Sequence, residues 1–274
     1  MIITALQIMS NGNIPIKTNT STLDELTREL SRGFYTTFST LAHGTRVTGL
    51  QTHLDRLYVP AKKLKLHPAV DEKTLRERLA QIVKENLPHE SQVRLILTKD
   101  YAEIFVGVQP FMPLPELIHG NGVHVITSKT ARHDPRIKDT GFISESVAQR
   151  KLLNKYVFEV LLTTNGRILE GMTSNFYAIK GKTLITAQRG ILLGVTRRVI
   201  LRLARGQGMS IEYRSPYVRE KFDEAFLTSS SRGVVPIVSI DNKSVGRGRV
   251  GKWTKMLAQA YQAYVEERSA RIVG

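Results

Sequence analysis

Lys138 and Glu170 are the residues of this sequence whose type and setting are best suited to chemistry. Lys138 follows the turn-forming segment 133–135 and precedes apolar residues at helical spacing, so it is predicted to lie between a strand and a helix. A partly desolvated lysine amine is a nucleophile, and Schiff-base formation is its usual chemistry. Glu170 ends an apolar run, and a buried carboxylate needs a cationic partner. The pair alone is weak evidence, because both residue types are mostly exposed.

A hairpin is predicted to position Glu170. Asn165-Gly166 separates the apolar runs 157–162 and 168–170, and Asn-Gly between two such runs is the strongest short hairpin pattern. Glu170 is therefore expected at the end of a mostly buried strand.

The remaining elements predict an α+β protein with two domains. Residues 1–110 form the smaller domain, in which the capping box Thr22–Glu25 predicts a helix over 23–31. Strands are predicted at 34–41, 46–50, 92–98 and 103–108, and helices at 53–66 and around 75–83. Three prolines in 108–115 favour extended backbone, so 111–122 is predicted to be the interdomain linker.

Residues 123–274 form the larger predicted domain. Short strands separated by turns run to about Ala187, which indicates a mixed sheet or pseudo-barrel and not a doubly wound sheet. A helix is predicted from Leu193 to Gly206, and its glycine entry and threonine hydroxyl are suited to an anion. A further amphipathic helix, structural in role, is predicted over 252–265.

Composition limits the classes of protein. A chain of 274 residues with 41% hydrophobic and 23% charged residues is typical of a globular enzyme. The absence of cysteine excludes disulfides and cysteine-based zinc sites, and the histidines lack metal-ligand spacing, so no metal is expected. Neither a signal peptide nor a run of the roughly 18–20 apolar residues that a membrane span needs is found, so a cytoplasmic protein is predicted.

The net charge of +16 is unusual for an enzyme. Such a charge permits non-specific binding of nucleic acid. The basic residues are spread along the chain and do not form one stripe interleaved with aromatic residues, so a basic surface is favoured over a specific nucleic-acid partner. A basic binding protein without catalytic activity is the minor alternative.

Five motifs occur in order: HLDRL at 53–57, IKDT at 137–140, LEGMTSNFYAI at 169–179, LLGVTR at 192–197 and DEAFLTSSSRGVVPIV at 223–238. Together they resemble the class IV (fold type IV) pyridoxal-phosphate aminotransferases, which include branched-chain aminotransferase, D-amino-acid aminotransferase and aminodeoxychorismate lyase. The resemblance extends over about residues 33–264. It implies a small α/β sandwich-like domain, a larger pseudo-barrel domain and a homodimer.

The resemblance also implies pyridoxal 5'-phosphate as the cofactor. This cofactor would provide a carbonyl for the amine of Lys138 and a cation for the carboxylate of Glu170: its aldehyde forms a Schiff base with Lys138, and its pyridinium nitrogen pairs with Glu170. The implied phosphate ligands are Arg56, the backbone of Val195, Thr196 and Ser230, with Ser229 or Ser231 as alternatives by register. The implied substrate contacts are Tyr35, Arg94 and Ser231. Plainer roles remain open for several of these: a surface arginine, a capped helix, turn-forming serines and, for Arg94, a pair with an acid on a neighbouring strand.

The implied reaction is transfer of an amino group between a branched-chain L-amino acid or a D-amino acid and a 2-oxo acid, through a Schiff base on Lys138. Ile143 stands where the branched-chain enzymes carry tyrosine, so in this respect the chain is closer to the D-amino-acid enzymes and the lyases. An aminodeoxychorismate-type lyase that releases pyruvate is therefore the alternative activity.

Overall fold

The computed structural model describes residues 3–273, and the chain divides into two compact units. Unit 1 comprises Met1–Met112, Ile137–Glu145 and Glu267–Gly274, and unit 2 comprises Pro113–Arg136 and Ser146–Glu266. Two segments that the sequence assigned to the larger domain, 137–145 and 267–273, are grouped with unit 1 in the structure. The outermost residues of the predicted domains, 1, 2 and 274, lie outside the described part.

The strands are β1 (Thr4–Met9), β2 (Gly12–Pro15), β3 (Gly33–Leu41), β4 (Arg46–Val47), β5 (Ser91–Thr98), β6 (Ile104–Pro110), β7 (Val123–Ser128), β8 (Glu159–Thr164), β9 (Arg167–Gly171), β10 (Asn175–Lys180), β11 (Thr183–Thr186), β12 (Ser210–Tyr213), β13 (Glu224–Ser229), β14 (Gly233–Ile240), β15 (Lys243–Ser244) and β16 (Ala270–Arg271). The helices are α1 (Leu23–Glu29), α2 (Leu50–Lys63), α3 (Glu72–Lys84), α4 (Glu116–Asn121), α5 (Gly141–Glu145), α6 (Val147–Arg150), α7 (Val195–Gly206) and α8 (Lys252–Arg268). The α+β class predicted from the sequence is confirmed. None of these helices is long and apolar enough to span a membrane.

Unit 1 is built on an antiparallel sheet in the order β16-β4-β3-β5-β6-β1-β2. Side chains alternate between the two faces of a strand, so each strand contributes side chains to two cores, one on each face of the sheet. Phe34 and Phe38 of β3 pack with α2 and α3, whereas Tyr35 packs on the other face with Ile143 of α5. Helices therefore cover both faces of this sheet, as expected of a sandwich-like domain.

Unit 2 is built on a mixed sheet in the order β12-β11-β10-β13-β14-β7-β8-β9, with β15 paired to β14. The β11–β12, β14–β7 and β7–β8 pairs are parallel, and the other pairs are antiparallel. Tyr177 of β10 and Phe226 of β13 stack on the face covered by α7 and α8, with ring centroids 4.6 Å apart. The hairpin β8–β9 turns at Asn165 and Gly166, whose φ angles of 50° and 70° suit a tight turn of this kind.

The helix predicted after Lys138 is present only in part. α5 and α6 are separate short helices with Ser146 between them, and Leu152 and Leu153, which completed the helical spacing, lie beyond α6 and are exposed. In the predicted linker 111–122, α4 follows the proline-containing stretch 108–115 for which extended backbone was expected. Apolar spacing after Lys138 therefore overstated the length of the helix there.

Candidate functional site

The lysine segment of unit 1 is held against β3 by its backbone. The backbone N–H of Tyr35 donates to the carbonyl of Lys138 at 2.9 Å, and that of Thr140 donates to the carbonyl of Gly33 at 2.9 Å. The hydroxyl of Thr140 in turn accepts from the N–H of Gly33 at 2.9 Å. A Cβ at position 33 would lie 2.2 Å from the carbonyl oxygen of Leu97, so only glycine fits here. The position of Lys138 is thus set by main-chain bonds.

The side chain of Lys138 lies beside an aromatic ring. Its Nζ is 4.6 Å from the ring centroid of Tyr35, and Cζ of Arg94 is 5.2 Å from the same centroid. A cation at this distance is attracted to the negative face of the ring. Unit 1 therefore brings Lys138 close to Tyr35 and Arg94, the two predicted substrate residues that this unit contains.

Arg94 is nearly buried and makes polar contacts within unit 1. Its Nη1 donates to Oδ1 of Asp24 at 2.6 Å and to the hydroxyl of Thr27 at 3.0 Å, and its Nε donates to the hydroxyl of Thr37 at 3.0 Å. These contacts match the plainer role, an ion pair, although the acid stands on helix α1 and not on a strand. The substrate role of Arg94 stays a prediction.

His53 and Arg56 share one face of α2, because residues three apart are neighbours on a helix. His53 is completely buried, with Nδ1 2.7 Å from the hydroxyl of Thr36. Burial, followed by the positive charges of Arg56 and Lys138, holds the pKa of His53 well below its ordinary value of 6.5. The charges of Arg56 and Lys138 therefore act on one neutral imidazole, that of His53, to which the sequence assigned no role.

In unit 2, Glu170 is a buried carboxylate, 2% exposed, that accepts hydrogen bonds from several donors. Nε of Arg132 donates to its Oε1 at 2.8 Å, and Arg132 is itself buried and donates to the carbonyl of Met172. The N–H of Leu192 and Nδ2 of Asn175 donate to Oε2 at 3.0 and 3.3 Å. Arg132 supplies the cation that a buried carboxylate requires. The sequence predicted a cation beside Glu170 but assigned it to the pyridinium of the cofactor, and it did not predict Arg132.

Asn175 joins Glu170 to the loop that enters α7. Besides its bond to Glu170, Nδ2 donates to the carbonyl of Leu192 at 2.7 Å, and Oδ1 accepts from the N–H of Gly194 at 3.1 Å. A Cβ at position 194 would stand 2.2 Å from Oδ1 of Asn175, so this close approach requires glycine. Asn175 of the motif at 169–179 is therefore hydrogen-bonded to Gly194 of the motif at 192–197.

The N-terminus of α7 has features of an anion site. Gly194 is the N-cap and provides no side-chain cap, and the first turn contains no acidic residue. The helix dipole and the first N–H groups therefore favour a negative charge there. Thr196 is buried, with its Oγ1 3.3 Å from the hydroxyl of Tyr261. Val195 and Thr196 thus stand where an anion would meet the helix.

Arg197, also 2% exposed, adds positive charge next to this helix start. Its Nη2 donates to the carbonyl of Ala187 at 2.6 Å and to Oε1 of Gln188 at 3.1 Å, both neutral acceptors. Its Nε and Nη1 have no hydrogen-bond partner within residues 3–273. The guanidinium contributes a buried positive charge to the same region.

Ser230 and Ser231 are half-buried in the turn between β13 and β14. Arg232 fixes this turn: its Nε donates to the hydroxyl of Ser229 at 3.2 Å, and its Nη2 donates to Oε2 of the buried Glu159 at 3.0 Å. Residues 229–233 are called the serine turn below. Unit 2 therefore contains Glu170, the α7 N-terminus and the serine turn, whereas Lys138 and Arg56 belong to unit 1.

No group of three or more His, Cys, Asp or Glu side chains within residues 3–273 is arranged to hold a metal ion.

The model of the amino-transferase class IV family matches residues 33–240, which is most of the chain. The matched range contains all five motifs and every residue predicted to take part in chemistry.

Two curated relatives carry different names. The D-alanine aminotransferase of Bacillus licheniformis is 28% identical over 240 residues, covering 82% of this chain and 85% of the relative. A Thermotoga maritima protein named "Probable branched-chain-amino-acid aminotransferase" is 31% identical over 194 residues, covering 68% of this chain and 70% of the relative.

Solved structures show the same fold. The branched-chain amino acid aminotransferase of Thermobaculum terrenum, solved in its PLP-form, superposes with a TM-score of 0.77 over 99% of this chain and 98% of that one. Its sequence identity is 20%, so this likeness concerns the fold. The two-domain α+β fold of type IV is thereby confirmed. By its sequence match and its fold, the chain belongs to the class IV aminotransferase family.

Proposed function

We propose that the protein transfers an amino group between an amino acid and a 2-oxo acid with pyridoxal 5'-phosphate as cofactor and Lys138 as the nucleophile. The observation that carries the proposal is the setting of Glu170 in unit 2: a buried carboxylate, paired with Arg132 and tied through Asn175 to the N-terminus of α7. A carboxylate and an anion site linked in this way suit a ligand with a ring nitrogen at one end and a phosphate at the other.

The residues of unit 2 fit this cofactor by their chemistry. A carboxylate oxygen is a good acceptor for a pyridinium N–H, which is the role proposed for Glu170. Arg132 lies beside this carboxylate as its cationic partner within the protein. The N–H groups at Val195, the hydroxyl of Thr196 and the hydroxyl of Ser230 are suited to phosphate oxygens.

The cofactor, when bound, supplies an electron sink for the carbanion formed at the substrate's Cα. The proposed task of Lys138 is proton transfer: Nζ takes the proton from the substrate's Cα and returns one during the second half of the reaction. The backbone bonds between the lysine segment and β3 support this task, because they restrict where Nζ can lie. Arg56, a fork of donors on α2, is proposed as a further phosphate ligand.

Tyr35 and Ser231 are proposed to contact the substrate, and Arg94 to contact its carboxylate. Curated relatives include enzymes named for D-alanine and for branched-chain amino acids, and both substrate classes are kept in the proposal. Ile143 is completely buried beside Tyr35, so position 143 adds apolar surface to this core and no hydroxyl. A homodimer and a cytoplasmic location are proposed on the family resemblance.

The test compares wild type with Lys138→Ala after incubation with pyridoxal phosphate. Wild type is expected to show the visible absorbance band of a lysine-bound cofactor and the variant to lack it, with activity reduced by about 10²–10⁴-fold or more because the acid–base group is gone. The matched control is Lys151→Ala, since Lys151 is exposed on the segment after α6. It should keep the band and the activity.

Addition of L- and D-amino acids then identifies the substrate. Bleaching of the band by one series, with formation of the matching 2-oxo acid, supports the transaminase and gives its stereospecificity. Pyruvate release from aminodeoxychorismate without an amino acceptor would favour the lyase instead. A wild-type protein that binds no pyridoxal phosphate would contradict the proposal.

A further inference from the structure

Tyr261 contacts two parts of the proposed phosphate site of unit 2. Its hydroxyl is 3.3 Å from Oγ1 of Thr196, in the first turn of α7. Its ring lies against the serine turn, since a Cβ built at Gly233 would be 3.5 Å from its Cε1 atom. One side chain of α8 therefore touches both the helix start and the turn that carries Ser230.

The position of Tyr261 is set by contacts of α8 within the protein, with no need for a bound ligand. Glu224 of β13 accepts from the N–H groups of Trp253 and Thr254 at 3.1 and 2.7 Å, which fixes the start of the helix. Tyr261 packs in the core formed with Ile200 of α7. The phenol is thus in place before any ligand binds, as a pre-organised contact should be.

The number of hydrogens decides the direction of the Tyr261–Thr196 bond. A hydroxyl has one hydrogen to donate and two lone pairs that accept. Burial raises the pKa of Tyr261 above its ordinary value of 10.0, so the phenol keeps its hydrogen near neutral pH. A phosphate accepts hydrogen bonds, and bonds to it are stronger because they are charge-assisted. Thr196 therefore gains most by donating to phosphate while accepting from Tyr261.

We propose that Tyr261 is a positioning residue for the phosphate site: its O–H donates to Oγ1 of Thr196, which directs the hydrogen of Thr196 to a phosphate oxygen. This inference rests on the proposed function and adds a residue that acts through Thr196 without touching the cofactor. The C-terminal helix, for which the sequence indicated only a structural role, thereby contributes to cofactor affinity.

The test is a double-mutant cycle on the affinity of the apo-protein for pyridoxal phosphate. Tyr261→Phe keeps the ring against Gly233 and removes only the hydroxyl, so Kd is expected to rise about three- to tenfold, the usual range for one hydrogen bond. Thr196→Val should weaken binding at least as much. Adding Tyr261→Phe to Thr196→Val should cause no further loss, because the two residues act as one unit.

Two further measurements support the cycle. Tyr264→Phe is the matched control: Tyr264 lies on the same helix with its ring against Arg202 at 4.9 Å, and its loss of a hydroxyl should leave Kd unchanged. In ³¹P NMR spectra of the bound cofactor, Tyr261→Phe should shift the phosphate resonance, whereas Tyr264→Phe should not.

Two results would overturn the inference. One is a Kd of Tyr261→Phe equal to that of wild type. The other is the same fold-loss from Tyr261→Phe in the Thr196→Val background as in wild type, which would indicate a general effect on packing. A wild-type protein that fails to bind pyridoxal phosphate is a separate result, because it contradicts the proposed function before any variant is compared.

Discussion

Unit 1 and unit 2 hold their candidate functional residues by different means. In unit 1, main-chain hydrogen bonds to β3 fix the segment of Lys138, and the lysine side chain lies over the ring of Tyr35. In unit 2, buried side chains fix Glu170: Arg132 pairs with one carboxylate oxygen and Asn175 donates to the other. Main-chain bonds thus hold the segment at position 138, whereas the carboxylate at position 170 is held mostly by buried side chains, together with the N–H of Leu192.

The difference indicates where each unit tolerates change. Backbone bonds form with any residue type, so the identity of residue 138 is left to chemistry, and its substitution should remove function with little effect on folding. A buried polar network requires each of its members, because removal of one leaves a charge or a donor without its partner. Substitutions around Glu170 should therefore reduce stability before chemistry is considered.

The largest expected effect is that of Arg132→Met, which leaves the buried carboxylate of Glu170 without its cation. The free energy of unfolding of the apo-protein should fall by about 3–5 kcal/mol, the usual cost of breaking a buried ion pair from one side. Urea denaturation measures the change. Arg136→Met is the control, because Arg136 is exposed and, within residues 3–273, donates only to the carbonyl of Gln188. This variant should cost about 1 kcal/mol or less.

The double variant Arg132→Met with Glu170→Met sharpens this result. Replacement of both charges by apolar side chains avoids an unpaired buried charge, so the double variant should regain part of the stability lost by Arg132→Met. The recovery should be incomplete, because the N–H of Leu192 and Nδ2 of Asn175 lose an acceptor. A single variant as stable as wild type would show that side-chain charge does not maintain this part of unit 2.

The second prediction tests the backbone attachment in unit 1. Thr140→Val removes the hydroxyl that accepts from the N–H of Gly33, and leaves that N–H without an acceptor in a buried position. The free energy of unfolding should fall by about 1–3 kcal/mol. Thr140→Ser keeps the acceptor and should lose less. Equal losses in the two variants would mean that the methyl group, and not the hydroxyl, matters at position 140.

The smallest expected effect concerns pH and His53. Its pKa is lowered in the folded state, so below the unfolded value of 6.5 the unfolded chain binds a proton that the folded chain does not. Stability from this group is complete above pH 6.5 and falls by about 1.4 kcal/mol for each pH unit below it, down to the folded-state pKa. The difference in unfolding free energy between wild type and His53→Asn should show this slope, since asparagine does not titrate. A difference that is constant with pH would contradict it.

Local structure followed the sequence closely where the determining residues are neighbours. Thr22 caps α1 and exchanges hydrogen bonds with Glu25, as the capping box predicted. Asn165-Gly166 forms the hairpin turn. Such patterns succeed because a few covalently adjacent residues supply all the hydrogen bonds involved. The prediction of a single helix after Lys138 was wrong, because apolar spacing does not show which core each residue joins.

The sequence by itself determined the family, the order of the motifs and the residues predicted to perform chemistry. Only the tertiary structure paired Arg132 with Glu170, 38 positions apart, and Thr196 with Tyr261, 65 positions apart. It also placed the segment of Lys138 against β3, within the unit formed mainly by the first part of the chain. The physical reason is that a buried charge or hydroxyl requires some partner, but packing of distant strands and helices decides which one comes within hydrogen-bond distance.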